Sequence, residues 1–187
     1  MNSFQKVSTN DIERLVLASQ AGDRGAFDEL VRLYQRKAMQ AAVRILGNAD
    51  EAAETVQEGF VAAYLKIGKL REPNCFEVWL LRIVTNTAIS QRRAANRRLK
   101  KIKIADSPVD NKAVLPRDKV VEDELKEAIR LAMLKLSKKE VRAISLFGLE
   151  DLSQREVAQI MNCSEEVVRW HVFRARQKLK TLLKEYL

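Results

Sequence analysis

The last helical stretch of this sequence carries the side chains best suited to chemistry. An apolar series spaced by 4, 3, 4, 3 and 4 residues predicts one buried helix face, formed by Val168, Val172, Ala175, Leu179, Leu182 and Tyr186. The opposite side is basic and aromatic, with Arg169, Phe173, Arg174 and Arg176. Such groups can contact DNA phosphates and base edges. The plainer alternative is a basic surface helix that binds nothing.

A second polar stripe is predicted in the first half of the chain. At 100° per residue, Arg82, Asn86, Arg93 and Arg97 fall within about 60° of one another. Trp79 belongs to the apolar face of the same segment and is expected in the core. Arginines can hold phosphates, and an asparagine amide can meet a base edge. A solvated basic face is again the alternative.

The segment before that stripe has the opposite charge. Asp50, Glu51, Glu54 and Glu58 make the start of a helix acidic, and Gln57 lies among them. Carboxylates repel DNA but suit a basic protein surface. The face is therefore either a docking site for a protein partner or simply solvated.

Catalysis is poorly supported by this sequence. It contains one histidine, His171, and two cysteines, Cys75 and Cys163, which are too far apart to suggest a metal site. Six scattered glycines form no phosphate-binding loop. We therefore expect a binding protein that is no enzyme and has no metal or cofactor.

Composition agrees with a nucleic-acid partner. The 187 residues include 34 Lys and Arg against 25 Asp and Glu, which leaves a net charge of +9 and favours a polyanion. The apolar fraction of 47% is too high for a disordered chain. Neither a long apolar run nor a signal peptide is visible, so we expect a reduced, cytoplasmic protein with no membrane insertion.

The elements that position these residues are all predicted to be helices. Apolar periodicity near 3.6 residues and repeated capping signals extend through both halves of the chain. The second helix is expected to run from about Gly25 to a stop at Gly47. Further helix starts are expected where a capping residue is followed three positions on by Glu, at Asn10, Asn48, Asn74 and Ser137. Periodicity stops where Pro108 and Pro116 occur. We therefore predict an all-α fold of two small domains, 1–99 and 120–187, joined by a flexible linker at 100–119.

The second domain is predicted to end in a helix-turn-helix. This motif needs a small residue at the helix crossing, a turn former four residues on and an apolar anchor six beyond that. Ala158, Asn162 and Val168 have that spacing. Ser153 and Ser164 are placed to begin its two helices. Such a motif can put the start of its second helix at base edges.

Taken in order, these segments resemble the bacterial RNA polymerase sigma factors of the extracytoplasmic-function type. The resemblance covers nearly the whole chain, and the segments that carry it are Ala21-Gly22-Asp23 with Ala26-Phe27 and Leu33-Tyr34, Val56-Gln57-Glu58-Gly59-Phe60 with Ala63-Tyr64, Trp79-Leu80-Leu81-Arg82-Ile83 with Asn86-Thr87-Ala88, and Leu152-Ser153 through Arg174-Ala175-Arg176. The family implies a first domain that binds core RNA polymerase and the −10 element. It implies a second domain that binds the β flap and the −35 element.

The resemblance also implies roles for single residues. Glu54, Gln57 and Glu58 would meet the clamp helices of the β′ subunit. The −10 DNA would be bound by Asn74, beside a pocket for a flipped base, and by Asn86, Arg92, Arg93 and Arg97. The −35 DNA would be bound by Arg155, Arg169, Trp170, His171, Phe173, Arg174 and Arg176. The family further implies an anti-sigma factor as a partner.

Four positions depart from the pattern of many relatives. Many relatives carry Ser and then Arg where this chain has Trp170 and His171, and many have a basic residue at Phe147 and Gly at Asp151. The Trp170 indole can contact thymine methyl groups, meet the sugar edge or pack on Phe173, and the sequence leaves these open. A protonated His171 would add a phosphate contact. A stand-alone helix-turn-helix regulator is the alternative function.

Overall fold

The fold is built from helices whose ends are set by local capping. The computed structural model describes residues 8–105, 117–149 and 152–186, and no strand occurs in these ranges. The helices are α1 (Thr9–Gln20), α2 (Arg24–Leu46), α3 (Ala49–Lys66), α4 (Phe76–Ala105), α5 (Arg117–Leu134), α6 (Lys138–Phe147), α7 (Gln154–Met161) and α8 (Glu165–Leu182). Short 3₁₀ turns lie at Ile67–Lys69, Pro73–Cys75 and Lys184–Tyr186.

Several predicted helix ends are confirmed. Ser137 and Ser153 form capping boxes with the glutamates three residues on, and Ser164 accepts a hydrogen bond from the Val167 N–H. Asn162 ends α7 in the left-handed conformation, at φ 54°. Gly47 ends α2 in the same way, at φ 75°.

Other predicted helix starts differ from the structure by one or two residues. The cap of α1 is Ser8 rather than Asn10, and α2 begins after Asp23, whose carboxylate accepts from the Ala26 N–H. Asn74 does not cap α4, because it lies inside the 3₁₀ turn that leads into that helix. Side-chain acceptors recur at neighbouring positions here, so the sequence alone did not say which one would be used.

The first domain consists of α1 to α4, and its apolar core continues into Leu136, Val141 and Ala175 of the second domain. Helices α2, α3 and α4 pack against one another, and α1 covers α2. Leu30, Ile45, Phe76, Leu80 and Val84 are essentially inaccessible to water at its centre. Trp79 is partly buried against this core and lies 6.0 Å from the Phe76 ring.

The second domain consists of α5 to α8, and it packs on the first. Helix α8 lies across α6 and α7, while α6 contacts α2 and α7 contacts α4. Ala41 and Leu81 of the first domain are buried in the same cluster as Leu146, Ile160 and other residues of the second. The two domains therefore share apolar contacts in this arrangement.

The predicted linker is shorter than expected at both ends. Helix α4 continues to Ala105, and α5 already begins at Arg117. The remaining part of the segment predicted at 100–119, residues 106–116, lies outside the described residues.

The buried face predicted for the last helix is shorter than expected. Leu182 and Tyr186, the last two members of its apolar series, are about half exposed.

We predict that Gly59→Ala destabilises the first domain. A Cβ at this position of α3 would lie 2.8 Å from Cγ2 of Val84 in α4. Overpacking of this kind costs about 1–3 kcal/mol, and the better helix propensity of alanine offsets up to about 1 kcal/mol. We therefore expect a net loss of roughly 1–2 kcal/mol in the free energy of unfolding in urea.

Gly68→Ala is the matched control for this variant. No atom of the described residues lies within 4 Å of the position that its Cβ would take. It should unfold at the same urea concentration as the parent protein or a slightly higher one. A Gly59→Ala protein as stable as the parent would contradict the close approach of α3 and α4.

Candidate nucleic-acid interface

Helices α7 and α8 form the predicted helix-turn-helix. Ala158 and Val168 are buried where the two helices meet, and Asn162 makes the turn between them. This packing leaves one side of α8 exposed, including Trp170, which is 51% exposed, and Phe173, which is 61% exposed. Arg169 is exposed beside them and donates to Gln154 at 3.3 Å. Two aromatic rings and an arginine thus lie together on one surface.

The predicted phosphate contact of His171 does not fit its position. Its side chain is 7% exposed and packs edge-on to the Trp170 ring at 4.8 Å. Burial lowers the pKa of His171, and the nearby Lys139 and Arg174 lower it further against the opposing effect of Glu140. A neutral, buried imidazole does not supply the positive charge that we expected here.

The remaining basic residues of the predicted −35 set differ in their surroundings. Arg155 is exposed on α7. The Arg176 guanidinium lies over the Phe147 ring, 5.4 Å from its centre. Arg174 lies 4.8 Å above the Trp170 ring and 3.6 Å from a carboxylate oxygen of Glu140. Arg174 is therefore already engaged, whereas Arg155 and Arg169 project at the surface.

The polar stripe predicted on α4 meets the second domain. The Arg82 Nε donates to the Ile160 carbonyl at 3.2 Å, and its guanidinium also donates to Gln159. Both carbonyls belong to the last turn of α7, where helix acceptors lack partners within the helix. Asn86 is exposed, but its Oδ1 accepts from Arg142 of α6.

Arg92 is placed differently from the other arginines of α4. It is 8% exposed and donates to the carbonyls of Met133 at 2.8 Å and Leu136 at 3.5 Å, at the end of α5. Burial lowers its pKa, and the charge of Arg93 lowers it further. Arg92 is thus not open to phosphate in this arrangement, contrary to the sequence prediction, while Arg93 and Arg97 are exposed.

A pocket of about 360 Å³ lies beside the turn that contains Asn74. Its lining includes Glu72, Cys75, Trp79 and Arg82 of the first domain and Gln159 of α7. Asn74 itself is exposed in the turn next to it. Trp79 therefore contributes to the core and also borders this pocket. The second domain forms part of the pocket wall.

The acidic residues of α3 lie on a face that also carries apolar side chains. Glu54, Gln57 and Glu58 are exposed, and so are Val61 and Leu65, at 60% and 75%. Spacings of 4, 3 and 4 residues place Glu54, Glu58, Val61 and Leu65 on one side of α3. We call these four residues and Gln57 the docking face. The sequence analysis missed the two apolar members. Their helical spacing from the acids was the available signal.

Neither a metal centre nor a membrane span emerges from the part of the chain that the structure describes. Within those residues, no three His, Cys, Asp or Glu side chains are grouped so that they could hold a metal ion. Among the described helices, none is both long and apolar enough to cross a membrane.

Comparison with protein families gives two matches that follow the two domains. Residues 30–98 match the family model described as Sigma-70 region 2. Residues 126–179 match the model described as Sigma-70, region 4.

Curated relatives match over almost their entire length. The RNA polymerase sigma-H factor of Pseudomonas aeruginosa is 31% identical, with 94% of this chain and 95% of that protein covered. The ECF RNA polymerase sigma factor SigW of Bacillus subtilis is 31% identical over 93% of this chain and 97% of its own. The ECF sigma-E factor of Haemophilus influenzae is 32% identical over 90% and 93%.

Two solved structures share the fold. CnrH in complex with the cytosolic domain of CnrY has a TM-score of 0.65 and 24% identity, covering 94% of this chain and 98% of that one. RpoE of Bartonella quintana in complex with the anti-sigma factor NepR has a TM-score of 0.59 and 24% identity, covering 84% and 96%. On the strength of the curated relatives, the chain belongs to the extracytoplasmic-function group of the sigma-70 family of bacterial RNA polymerase sigma factors.

Proposed function

We propose that this sigma factor binds core RNA polymerase through the docking face of α3 and promoter DNA through two separate surfaces. One DNA surface is α4 with the pocket beside it, and the other is the exposed side of α7 and α8. The presence of both DNA surfaces in one chain, beside an acidic face that DNA would repel, carries the proposal. The protein lends promoter specificity to the polymerase and catalyses no reaction itself.

The docking face suits a basic protein surface with an apolar centre. Its carboxylates attract cations, while Val61 and Leu65 expose apolar area that a partner would cover. Glu58 is held in place by the Gln91 amide, which donates to it at 3.0 Å. We therefore assign polymerase binding, at the clamp helices of β′, to Glu54, Gln57 and Glu58 together with the two apolar residues.

The −10 element is assigned to α4 and the adjoining turn. Asn86, Arg93 and Arg97 are exposed along α4, and the 360 Å³ pocket beside Asn74 is large enough for a base. Flipping a base out of the duplex costs a few kcal/mol, which contacts inside such a pocket offset. Local melting of the −10 element would follow from that exchange.

Binding at this surface requires the second domain to move away. Arg82, Asn86 and Arg92 all contact the second domain, and Gln159 lines the pocket. The interface also holds two neighbouring cations, Arg82 and Arg142. Burial lowers the pKa of Arg142, and the nearby charge of Arg82 lowers it further. Once the polymerase binds each domain and the two separate, Arg92 is free to meet phosphate.

The −35 element is assigned to the exposed side of the helix-turn-helix. Arg155, Arg169 and Arg176 supply positive charge, and Phe173 and Trp170 supply apolar contact. His171 supports this surface from below rather than contacting DNA. Each DNA surface is small, so the two gain affinity mainly from being fixed together on the polymerase.

An anti-sigma factor is a further proposed partner. CnrH and RpoE, which share this fold, were solved with the cytosolic domain of CnrY and with the anti-sigma factor NepR, respectively. A protein of this kind would work where transcription occurs, and we accordingly place this chain in the cytoplasm. A stand-alone regulator is disfavoured, because it would have no use for the docking face.

We predict that promoter selection requires core polymerase. Promoter binding and run-off transcription would be measured with a DNA library randomised at the −35 and −10 elements, with and without bacterial core enzyme. Defined sequences should be recovered only when core is present. Strong, sequence-specific binding by the free protein that core leaves unchanged would instead favour a stand-alone regulator.

We also predict that replacing Val61 and Leu65 together by serine weakens the affinity for core polymerase. Burial of one such side chain is worth about 1.5–3 kcal/mol, so a loss of at least about tenfold is expected. Competition with a fluorescent parent protein for a limited amount of core enzyme would measure it.

Leu17→Ser provides the control for this double variant. Leu17 is similarly exposed, at 51%, but lies on α1 outside the docking face. It should compete as well as the parent protein. If the double variant competed as well as the parent protein, Val61 and Leu65 would not be part of the polymerase contact.

A further inference from the structure

Glu140 is a buried carboxylate at the junction of α6 and α8. It is 3% exposed, and its Oε2 accepts from the Ser137 N–H at 2.8 Å and from the Lys178 Nζ at 2.9 Å. Its Oε1 lies 3.6 Å from the Arg174 Nε. Burial acts to raise the pKa of Glu140, but the hydrogen bonds from Lys178 and Ser137 outweigh it, and the pKa is lowered. The group is therefore an anion at neutral pH.

The two cations in contact with Glu140 differ in their other contacts. Lys178 joins α8 to α6 through this carboxylate. Arg174 continues to the exposed side of α8, where its guanidinium lies 4.8 Å above the Trp170 ring. A cation over an indole face is the most favourable of the cation–π pairs. Arg174 thus joins the buried carboxylate to an exposed aromatic ring.

The Trp170 ring is in contact with two neighbouring side chains. It contacts the Arg174 guanidinium and the edge of the His171 ring, which is itself buried. About half of the Trp170 side chain remains exposed, on the same side of α8 as Phe173 and Arg169. A half-exposed indole with such contacts, near the start of the second helix of a helix-turn-helix, is suited to an apolar base edge. In the major groove the thymine methyl group provides such an edge.

We propose that Trp170 contacts a thymine methyl group in the −35 element and that Glu140 is the positioning residue that holds the indole there through Arg174. This inference rests on the proposed assignment of α8 to −35 recognition. It assigns the apolar base edge to Trp170, among the three possibilities that the sequence left open. It also gives Glu140, which completes the capping box of α6, a part in promoter selection.

The direct test is to remove the methyl group and nothing else. The full-length protein with core polymerase would first select a −35 sequence from a randomised library. Each thymine of that sequence would then be replaced by deoxyuridine. For at least one position, binding by the parent protein should fall by about fourfold, the value of one buried methyl group. Trp170→Ala should bind both DNAs equally.

Glu140→Gln tests the positioning role. Glutamine keeps an acceptor for the Ser137 N–H but loses the charge that fixes Arg174. The deoxyuridine penalty should shrink from about fourfold to less than twofold. Arg174→Gln should have the same effect, and it leaves the pair between Glu140 and Lys178 intact, so it carries the test if Glu140→Gln does not fold.

Lys178→Gln is the matched control, because it breaks the other contact of the same carboxylate. It should lower thermal stability yet keep the deoxyuridine penalty of the parent protein. Equal loss of the penalty in Lys178→Gln and Glu140→Gln would show that Glu140 only joins the helices, and would overturn its positioning role. A penalty retained by Trp170→Ala, or one absent from every thymine in the parent protein, would overturn the methyl contact.

The result would differ if the proposed function, and not the role of Trp170, were wrong. If core polymerase selected no −35 sequence at all, the assignment of α8 to promoter recognition would fail before any thymine was tested. If a −35 sequence without thymine were selected, that assignment would stand and the role of Trp170 would be overturned.

Discussion

The last carbonyl groups of a helix have no hydrogen-bond partner within that helix, and two arginines of α4 supply such partners across the domain interface. Arg82 donates to the end of α7, and Arg92 donates to the carbonyls at and just beyond the end of α5. A guanidinium also complements the negative end of the helix dipole. These contacts, together with buried Ala41 and Leu81, set the position of the second domain on the first. The covering of the α4 stripe and the wall of the adjacent pocket both follow from that position.

This use of arginine fits both the arrangement in the structure and the proposed DNA-bound one. The side chains that satisfy helix ends in this arrangement are also suited to phosphate, because a guanidinium donates both to the partly negative oxygen of a carbonyl group and, more strongly, to the charged oxygens of a phosphate. Arg142 approaches Asn86 and Arg82 in the closed form, so like charges accompany the favourable contacts.

The recognition helix shows how a buried charge can organise an exposed surface. Glu140 lies at the third position of α6, where a glutamate completes a capping box. Its remaining acceptor capacity is used by cations of α8, and one of these extends to Trp170. Burial of His171 below the same ring adds support. Local capping and the setting of a surface residue thus depend on one carboxylate.

Much of this protein could be predicted from residues alone. The spacing of apolar residues determines which segments become helices, because burial of one helix face requires a period near 3.6. The glutamates after Ser137 and Ser153 and the turn at Asn162 specify local geometry through neighbours in the chain, and the structure has all three. The motif order was also sufficient to indicate the sigma factor family.

Only the tertiary structure decided which polar side chains remain open to a partner. Arg92 and His171 look like their neighbours in sequence but are buried, while Val61 and Leu65 look like core residues but are exposed. The physical reason is that availability depends on what the rest of the chain places against a helix face, and the helical period carries no record of residues distant in sequence.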